Sequence, residues 1–296
     1  MTSASTDQTF SPGELTQLTP RISRLVAPNA GPMTGPGTNT YLIKGAGPND
    51  PVTVVDPGPA LEAHVVAIMN ALDGRQLQAV LVTHTHRDHS PAASVLHERL
   101  GMARWGRVSH YAQFQDQTFV PDHPVDESTV VVGNGYRLRA VLTPGHASNH
   151  VCWYLEEERA LFTGDHILGT VSPVILPPDG DMRDYLLSMD RLKAMPLEHL
   201  FPGHGPVLTQ PARVIEGLIR HRLAREAKIV RTLRSMDDVT IAELVIVVYA
   251  DVSADLHQWA SYSLHAHLLK LSHEGIVEER HSRWRLLQPE ILGSQV

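Results

Sequence analysis

The sequence predicts an α+β fold: a large domain of mixed strands and helices, then a basic helix and a small helical module. Three observations carry this. Four times, a short apolar run ends in His or Asp on a polar loop or a Gly- or Pro-containing turn. Between these runs lie segments with apolar residues at helical spacing, as at Leu61, Val65, Ile68 and Leu72. Charge then changes sign along the chain: residues 211–234 carry seven Lys/Arg against two Glu, and residues 237–296 carry four Lys/Arg against nine Asp/Glu. The 296 residues divide accordingly into an N-terminal segment (1–20), a main domain (21–210), a connecting basic helix (211–235) and a C-terminal module (236–296).

Taken in order, residues 1–20 are rich in Thr, Ser and Gln and read as a loosely held segment. Strands follow at 22–27, 41–43 and 52–55. The first two are separated by a loop whose Gly31, Pro32, Gly35, Pro36 and Gly37 exclude helix and strand. A helix spans 60–72, a buried strand 79–82, and a second helix 91–100, with Pro91 suited to its first turn. Residues 103–135 yield one clear strand, 130–132. Strands at 136–142, 150–155, 160–162 and 199–201 enclose an amphipathic helix at 181–195. Residues 239–249 and 256–271 read as helices and 276–287 as a hairpin.

With 42% hydrophobic residues, 21 Gly and 21 Pro, the chain is globular and loop-rich. No segment reaches the roughly 18 apolar residues that span a bilayer, and the first ten residues are polar, so a soluble, cytoplasmic protein without membrane contact is expected. Cys152 is the only cysteine, which excludes an intrachain disulfide and a thiolate cage and leaves it a core residue. A net charge of -7 argues against a general polyanion binder.

The chemistry begins at Thr83-His84-Thr85-His86-Arg87-Asp88-His89, directly after an apolar strand. Three imidazoles and a carboxylate so close together repel one another when protonated, and a shared cation removes that repulsion. His84 and His86 can serve one point of a tight loop and Asp88 and His89 another, which points to two metal ions about 3.5 to 4 Å apart. The same design recurs at Thr143-Pro144-Gly145-His146, Thr163-Gly164-Asp165-His166 and Pro202-Gly203-His204-Gly205. Asp56, at a strand end, is a candidate to hold a ligand imidazole from behind. The chain lacks a G-x-S-x-G elbow, a phosphate-binding G-x-x-x-x-G-K-[ST] loop and a dinucleotide G-x-G-x-x-G fingerprint. His265 and His267 are two apart on a helix and face different directions, as surface or packing residues do.

The series THTHRDH, TPGH, TGDH and PGHG, in that order, resembles the metallo-β-lactamase superfamily. GTNTYLI (37–43), VVDPG (54–58) and HRLARE (221–226) are most similar to its β-lactamase-like protein two branch, and the resemblance covers about residues 20–290. It implies a four-layer αβ/βα sandwich with the site at one edge and a C-terminal winged-helix module. It further implies one metal held by His84, His86 and His146, a second held by Asp88, His89 and His204, and Asp165 bridging both. Where many relatives place Thr after Gly-His, this chain has Ala147. Neutral imidazoles and carboxylates suit two Zn²⁺, and the same donors accept Mn²⁺ or Fe²⁺. A bridging water would reach a pKa of about 7 and act as hydroxide. Asp88 would orient it and take its proton, with His150, and beside it His166, as candidates to protonate the leaving group.

The function so implied is a binuclear metal-dependent hydrolase acting on a small ester, thioester or lactone. Single-stranded RNA is the alternative substrate, and a ligand-sensing protein on the same fold is the alternative class. The acidic C-terminal module opposes phosphate binding and fits packing or homodimerisation. Arg220, Arg222, Arg225, Lys228, Arg231 and Arg234 face either an anionic substrate or solvent.

Overall fold

The computed structural model describes residues 10–287 apart from 114, 170 and 237. A seven-stranded sheet runs in sequence order: β1 (Thr16–Gln17), β2 (Ile22–Val26), β3 (Asn39–Lys44), β4 (Val52–Val55), β5 (Leu77–Leu81), β6 (Ala103–Gly106) and β7 (His123–Pro124). Helices α1 (Glu62–Ala71) and α2 (Pro91–Leu100) connect its parallel strands. The second sheet contains β8 (Val130–Gly133), β9 (Tyr136–Leu142), β10 (Val151–Leu155), β11 (Ala160–Gly164) and β12 (His199–Pro202), and its order is β12-β11-β10-β9-β8. Between β11 and β12 lies α3 (Met182–Lys193); α4 (Pro211–Ser235) follows.

Period-two alternation builds the layers. On β3, Tyr41 and Ile43 enter the core between the sheets, while Leu42 turns to Val65, Ile68 and Leu96 of α1 and α2. On β10, Val151, Trp153 and Leu155 enter the same central core, while Cys152 and Tyr154 turn to Tyr185 and Met189 of α3. The outcome is helix, sheet, sheet, helix: the four-layer sandwich that the motif series implied. Because strands are buried on both faces, residues 22–26 and 151–155 are buried throughout, as expected between two covering layers.

Helices α5 (Ile241–Val248) and α6 (His257–His273) and the hairpin of β13 (Val277–Arg280) and β14 (Arg283–Leu286) complete the chain in winged-helix order. A Thr240–Glu243 capping box starts α5. Helix α4 belongs to both bodies: Ile215 packs in the α3 core, and Ile229 and Leu233 pack with Leu244, Leu268 and Trp284.

Two readings of the sequence are corrected. The segment before residue 20 is not loose where it is described: Thr16 and Gln17 pair with Arg24 and Ser23 of β2, and Arg24 lies over the Phe10 ring. Residues 1–9 of that segment, and 288–296 of the C-terminal module, lie outside the described residues. Residues 103–135 also hold β6 and β7, which extend the first sheet. Both are short and partly exposed, so neither gives an apolar run. No helix among the described residues is long and apolar enough to cross a membrane.

Trp284 is buried at the centre of the C-terminal cluster. We expect Trp284→Ala to lower stability by about 3–5 kcal/mol, measured by denaturant unfolding; a loss below about 1 kcal/mol would show that the hairpin is not part of this core.

Candidate metal centre

Every donor stands at the carboxyl end of a strand or on a loop between strands at one edge of the sandwich. The loop after β5 brings His84, His86, Asp88 and His89, the β9–β10 loop brings His146, and the ends of β11 and β12 bring Asp165 and His204. Neither sheet alone holds the set.

Three clusters result, each with donor atoms within 4.8 Å of one another: His84/His86/His146, His84/His89/Asp165 and Asp88/His89/His204. In the first, His86 Nδ1 lies 2.9 Å from His84 Nε2 and 3.1 Å from His146 Nε2. His86 Nδ1 carries at most one proton, so it can satisfy at most one of these two nitrogens. Thr83 Oγ1 donates to Asp56 at 2.7 Å, so it accepts from His84 Nδ1 at 3.0 Å; His146 Nδ1 donates to the Val174 carbonyl at 2.8 Å. With those protons committed, both Nε2 atoms present bare lone pairs to the same point.

The other cluster follows the same rule. His89 Nδ1 donates to Asp56 Oδ2 at 2.9 Å and His204 Nδ1 to the Gly37 carbonyl at 3.2 Å. Their Nε2 atoms are 3.4 and 3.1 Å from Asp88 Oδ2, and each is 3.3 Å from Asp165 Oδ1. The other Asp165 oxygen lies 3.9 Å from His146 Nε2, so this carboxylate faces both groups. His89 Nε2, His204 Nε2 and Asp165 Oδ1 are buried and make no hydrogen bond. Buried polar atoms left without hydrogen bonds around one point fit a shared cation.

Charge follows the same division. Burial, and then the neighbouring imidazoles, push His84 well below its ordinary pKa and His86 down to about 4, so this trio is neutral. Burial also opposes charge on His204, but Asp165 and Asp88 outweigh it and raise its pKa to about 10. Burial disfavours ionised Asp88 and Asp165, yet the adjacent imidazoles hold both well below the usual carboxylate range. The carboxylates thus demand positive charge at the point where the His89 and His204 nitrogens meet, whether from protons or from a metal.

Supporting groups fix the donors. Asp56 accepts from Thr83 N and Thr83 Oγ1, both at 2.7 Å, as well as from His89, so one buried carboxylate orients two rings of the cluster, His89 directly and His84 through Thr83. Asn39 Nδ2 donates to the carbonyls of Pro202 and Gly205, both at 2.9 Å, and clamps the turn bearing His204. Gly203 is required there: a Cβ would come within 2.6 Å of His89 and 2.7 Å of Asp165. Asp179 accepts from Gln115 at 2.7 Å and Ser109 at 2.8 Å, tying two loops together beside the cluster. Sequence reading missed Asn39, Gln115 and Asp179, because their partners are 64 to 166 residues away. The Asn in GTNT was the one visible signal.

Two assignments change. The structure places His150 behind the cluster: its ring is buried, stacks 5.1 Å from His84 and has Nδ1 paired with Thr143 Oγ1 at 2.9 Å. Burial and then His166 keep its pKa well below the ordinary value. His166 is likewise buried, and burial with nearby positive charge lowers it to about 3. The basic helix does not present one face. Arg222 is buried and donates to the Pro173 carbonyl; Arg225 is buried and pairs with Asp251 at 2.7 and 2.9 Å, joined by Lys228 at 3.3 Å. Arg220, Arg231 and Arg234 are exposed. His267 is buried against Glu226, as a packing residue.

A cavity of about 240 Å³ opens over the cluster, lined by His86, Asp88, His146 and Asp165 together with Val174 and Trp259. A two-sheet sandwich with a His/Asp cluster at its strand ends is the architecture of a metallohydrolase. Residues 33–204 match the model of the metallo-beta-lactamase superfamily, and residues 240–284 that of the beta-lactamase associated winged helix domain. The chain belongs to the metallo-β-lactamase superfamily and is a hydrolase. The Beta-lactamase-like protein 2 homolog of Caenorhabditis elegans is 30% identical over 268 residues, covering 90% of this chain and 88% of that one. The Atrochrysone carboxyl ACP thioesterase of Aspergillus fumigatus is 28% identical over 254 residues, covering 82% and 78% respectively. A crystal structure of a metallo-beta-lactamase family protein from Thermus thermophilus is similar with a TM-score of 0.75 at 26% identity, covering 92% of this chain and all of that one.

If Asp56 orients His89 as the geometry shows, Asp56→Asn should weaken metal affinity about 10- to 100-fold while circular dichroism stays native. Competition with a chromophoric chelator measures this, and unchanged affinity would mean that His89 is held by packing alone.

Proposed function

We propose that the protein binds two Zn²⁺ ions and hydrolyses small esters, thioesters above all. The carrying observation is a pair of donor trios that share Asp165 at the floor of a cavity with apolar walls. His84, His86 and His146 would hold one ion and Asp88, His89 and His204 the other. Divalent ions in such sites polarise a carbonyl and lower the pKa of water to about 7.

The chain's own residues then divide the work. Asp88 is partly exposed to the cavity and is placed to orient the attacking water and receive its proton. Water adds to the carbonyl carbon, the C–S or C–O bond breaks, and the sulfur or oxygen leaves. Among the described residues lining the cavity over the cluster, the only imidazoles are the ligands His86 and His146. A leaving group that departs without an acid is therefore favoured. Thiols, with a pKa of about 8.5, leave as thiolates far more readily than alkoxides do. The thioesterase among the relatives supports the same substrate class.

RNA is less well served. A phosphate-binding stripe needs clustered free cations, whereas Arg225 and Lys228 are both engaged by Asp251. A ligand sensor on this fold would bind without turnover, and metal restoration separates the two.

Elemental analysis of protein prepared with ample zinc should give close to two ions per chain, and thioester turnover should vanish on chelation and return with zinc. Asp88→Ala should lose at least about 100-fold in kcat with its fold intact. One ion or none, or an unchanged rate in the variant, would overturn this reading.

A further inference from the structure

The cavity over the cluster continues past Trp259 into a larger one of about 360 Å³, and the two share Met33, His146, Asp165, Val174 and Trp259 as lining. That volume lies in the range of small-molecule pockets, roughly 300–1,000 Å³. Leu168 and Val174 form one wall; Tyr249, Val252, Leu256 and Trp259, all from the winged-helix side, form the other. At the rim, Met33 and Leu256 are each 45% exposed and Val171 is 61% exposed. Such apolar exposure on both domains around one opening marks a surface that something covers.

The polar groups in the wall narrow what that is. Arg225 spends its guanidinium on Asp251 and on the Val248 carbonyl and stacks 4.2 Å over Tyr249. Arg222 donates to Pro173 and lies over Tyr185, and its buried Nε has no acceptor. Arg225 is thus neutralised by Asp251, while Arg222 keeps one buried N–H open to an oxygen acceptor. The wall is also anchored to the metal centre through three consecutive residues. Pro173 accepts from Arg222, Val174 accepts from the ligand His146, and Ile175 N donates to Ser263 Oγ of α6 at 3.3 Å.

We propose that this cavity is the acyl pocket of the enzyme. It takes the alkyl or aromatic acyl arm of the ester or thioester, with the reacting carbonyl at the junction lined by His146 and Asp165, so the winged-helix module sets substrate choice. This assignment rests on the hydrolase reading above. The module's role is then recognition of an apolar group, with no nucleic acid involved.

The test uses the zinc-loaded full chain with the S-acetyl, S-octanoyl and S-(2-naphthoyl) thioesters of N-acetylcysteamine. The expected kcat/KM for the octanoyl or naphthoyl compound exceeds that for acetyl at least tenfold. Ala260→Trp, which fills the cavity, should cut that ratio at least tenfold, and Leu256→Ser at the exposed rim should cut it severalfold without burdening folding. Calorimetry with octan-2-one and 2-acetonaphthone, which keep the carbonyl and cannot be hydrolysed, should show one site per chain with a negative heat-capacity change, lost in Ala260→Trp. Turnover without preference for the larger acyl groups overturns the pocket and leaves the hydrolase reading standing. Ketone binding that Ala260→Trp abolishes, with no thioester turned over, upholds the pocket and overturns the thioester reading. Absence of ketone binding to the unaltered chain overturns the pocket.

Discussion

The structure turns on ring nitrogens and carboxylates crowded into one buried region. Each of His84, His89, His146 and His204 has its Nδ1 turned to an oxygen, so its Nε2 is directed at a common region. Two carboxylates, Asp88 and Asp165, enter the same region. Unlike a hydrophobic cluster, such an assembly opposes its own formation in the absence of positive charge. The sandwich core holds it together: Trp153, Phe162 and Phe201, packed between the sheets, bring strand ends from both sheets to one edge. Stability built by apolar burial is what keeps the polar edge poised.

This explains which parts could be read from the sequence. The donors were legible because each sits on a local signal, an apolar run stopping at a Gly, Pro or polar turn, and the series repeats in a fixed order. The strands buried on both faces were legible as apolar runs, and α2 was framed by Pro91 and by Gly101 in the left-handed region. Asp56 was legible as a strand-end carboxylate, and its three hydrogen bonds show why it stands there at a φ of 48°. What stayed hidden depends on contacts made across the chain. Gln115 and Asp179 look like loop residues until folding joins them. The charge pattern of residues 220–234 invited a single basic face, but helical geometry turns Arg222 and Arg225 inward, to partners that no local pattern reveals. His150 lies four residues after His146, yet folding stacks it on the far side of His84, outside the lining of the cavity.

The C-terminal module changes character when seen in place. Taken alone, its order of helices and hairpin belongs to a class of nucleic-acid readers, and its acidic balance argues against that use. In the assembled chain, Tyr249, Leu256 and Trp259 look onto the cavity beside the metal cluster. Helix α4 gives its first half to one hydrophobic core and its last turns to another, so the two bodies share a structural member and not merely a linker.

The segment 173–175 carries that sharing to the scale of single atoms. Three successive backbone groups are each tied to a different part of the molecule: a buried arginine on α4, a ligand imidazole, and a serine on α6. A peptide strap fastened at every residue transmits displacement without slack. The winged-helix module and the His146 ring are thus held by neighbouring residues of one short segment, so a change in how α6 packs falls on the backbone that also positions His146.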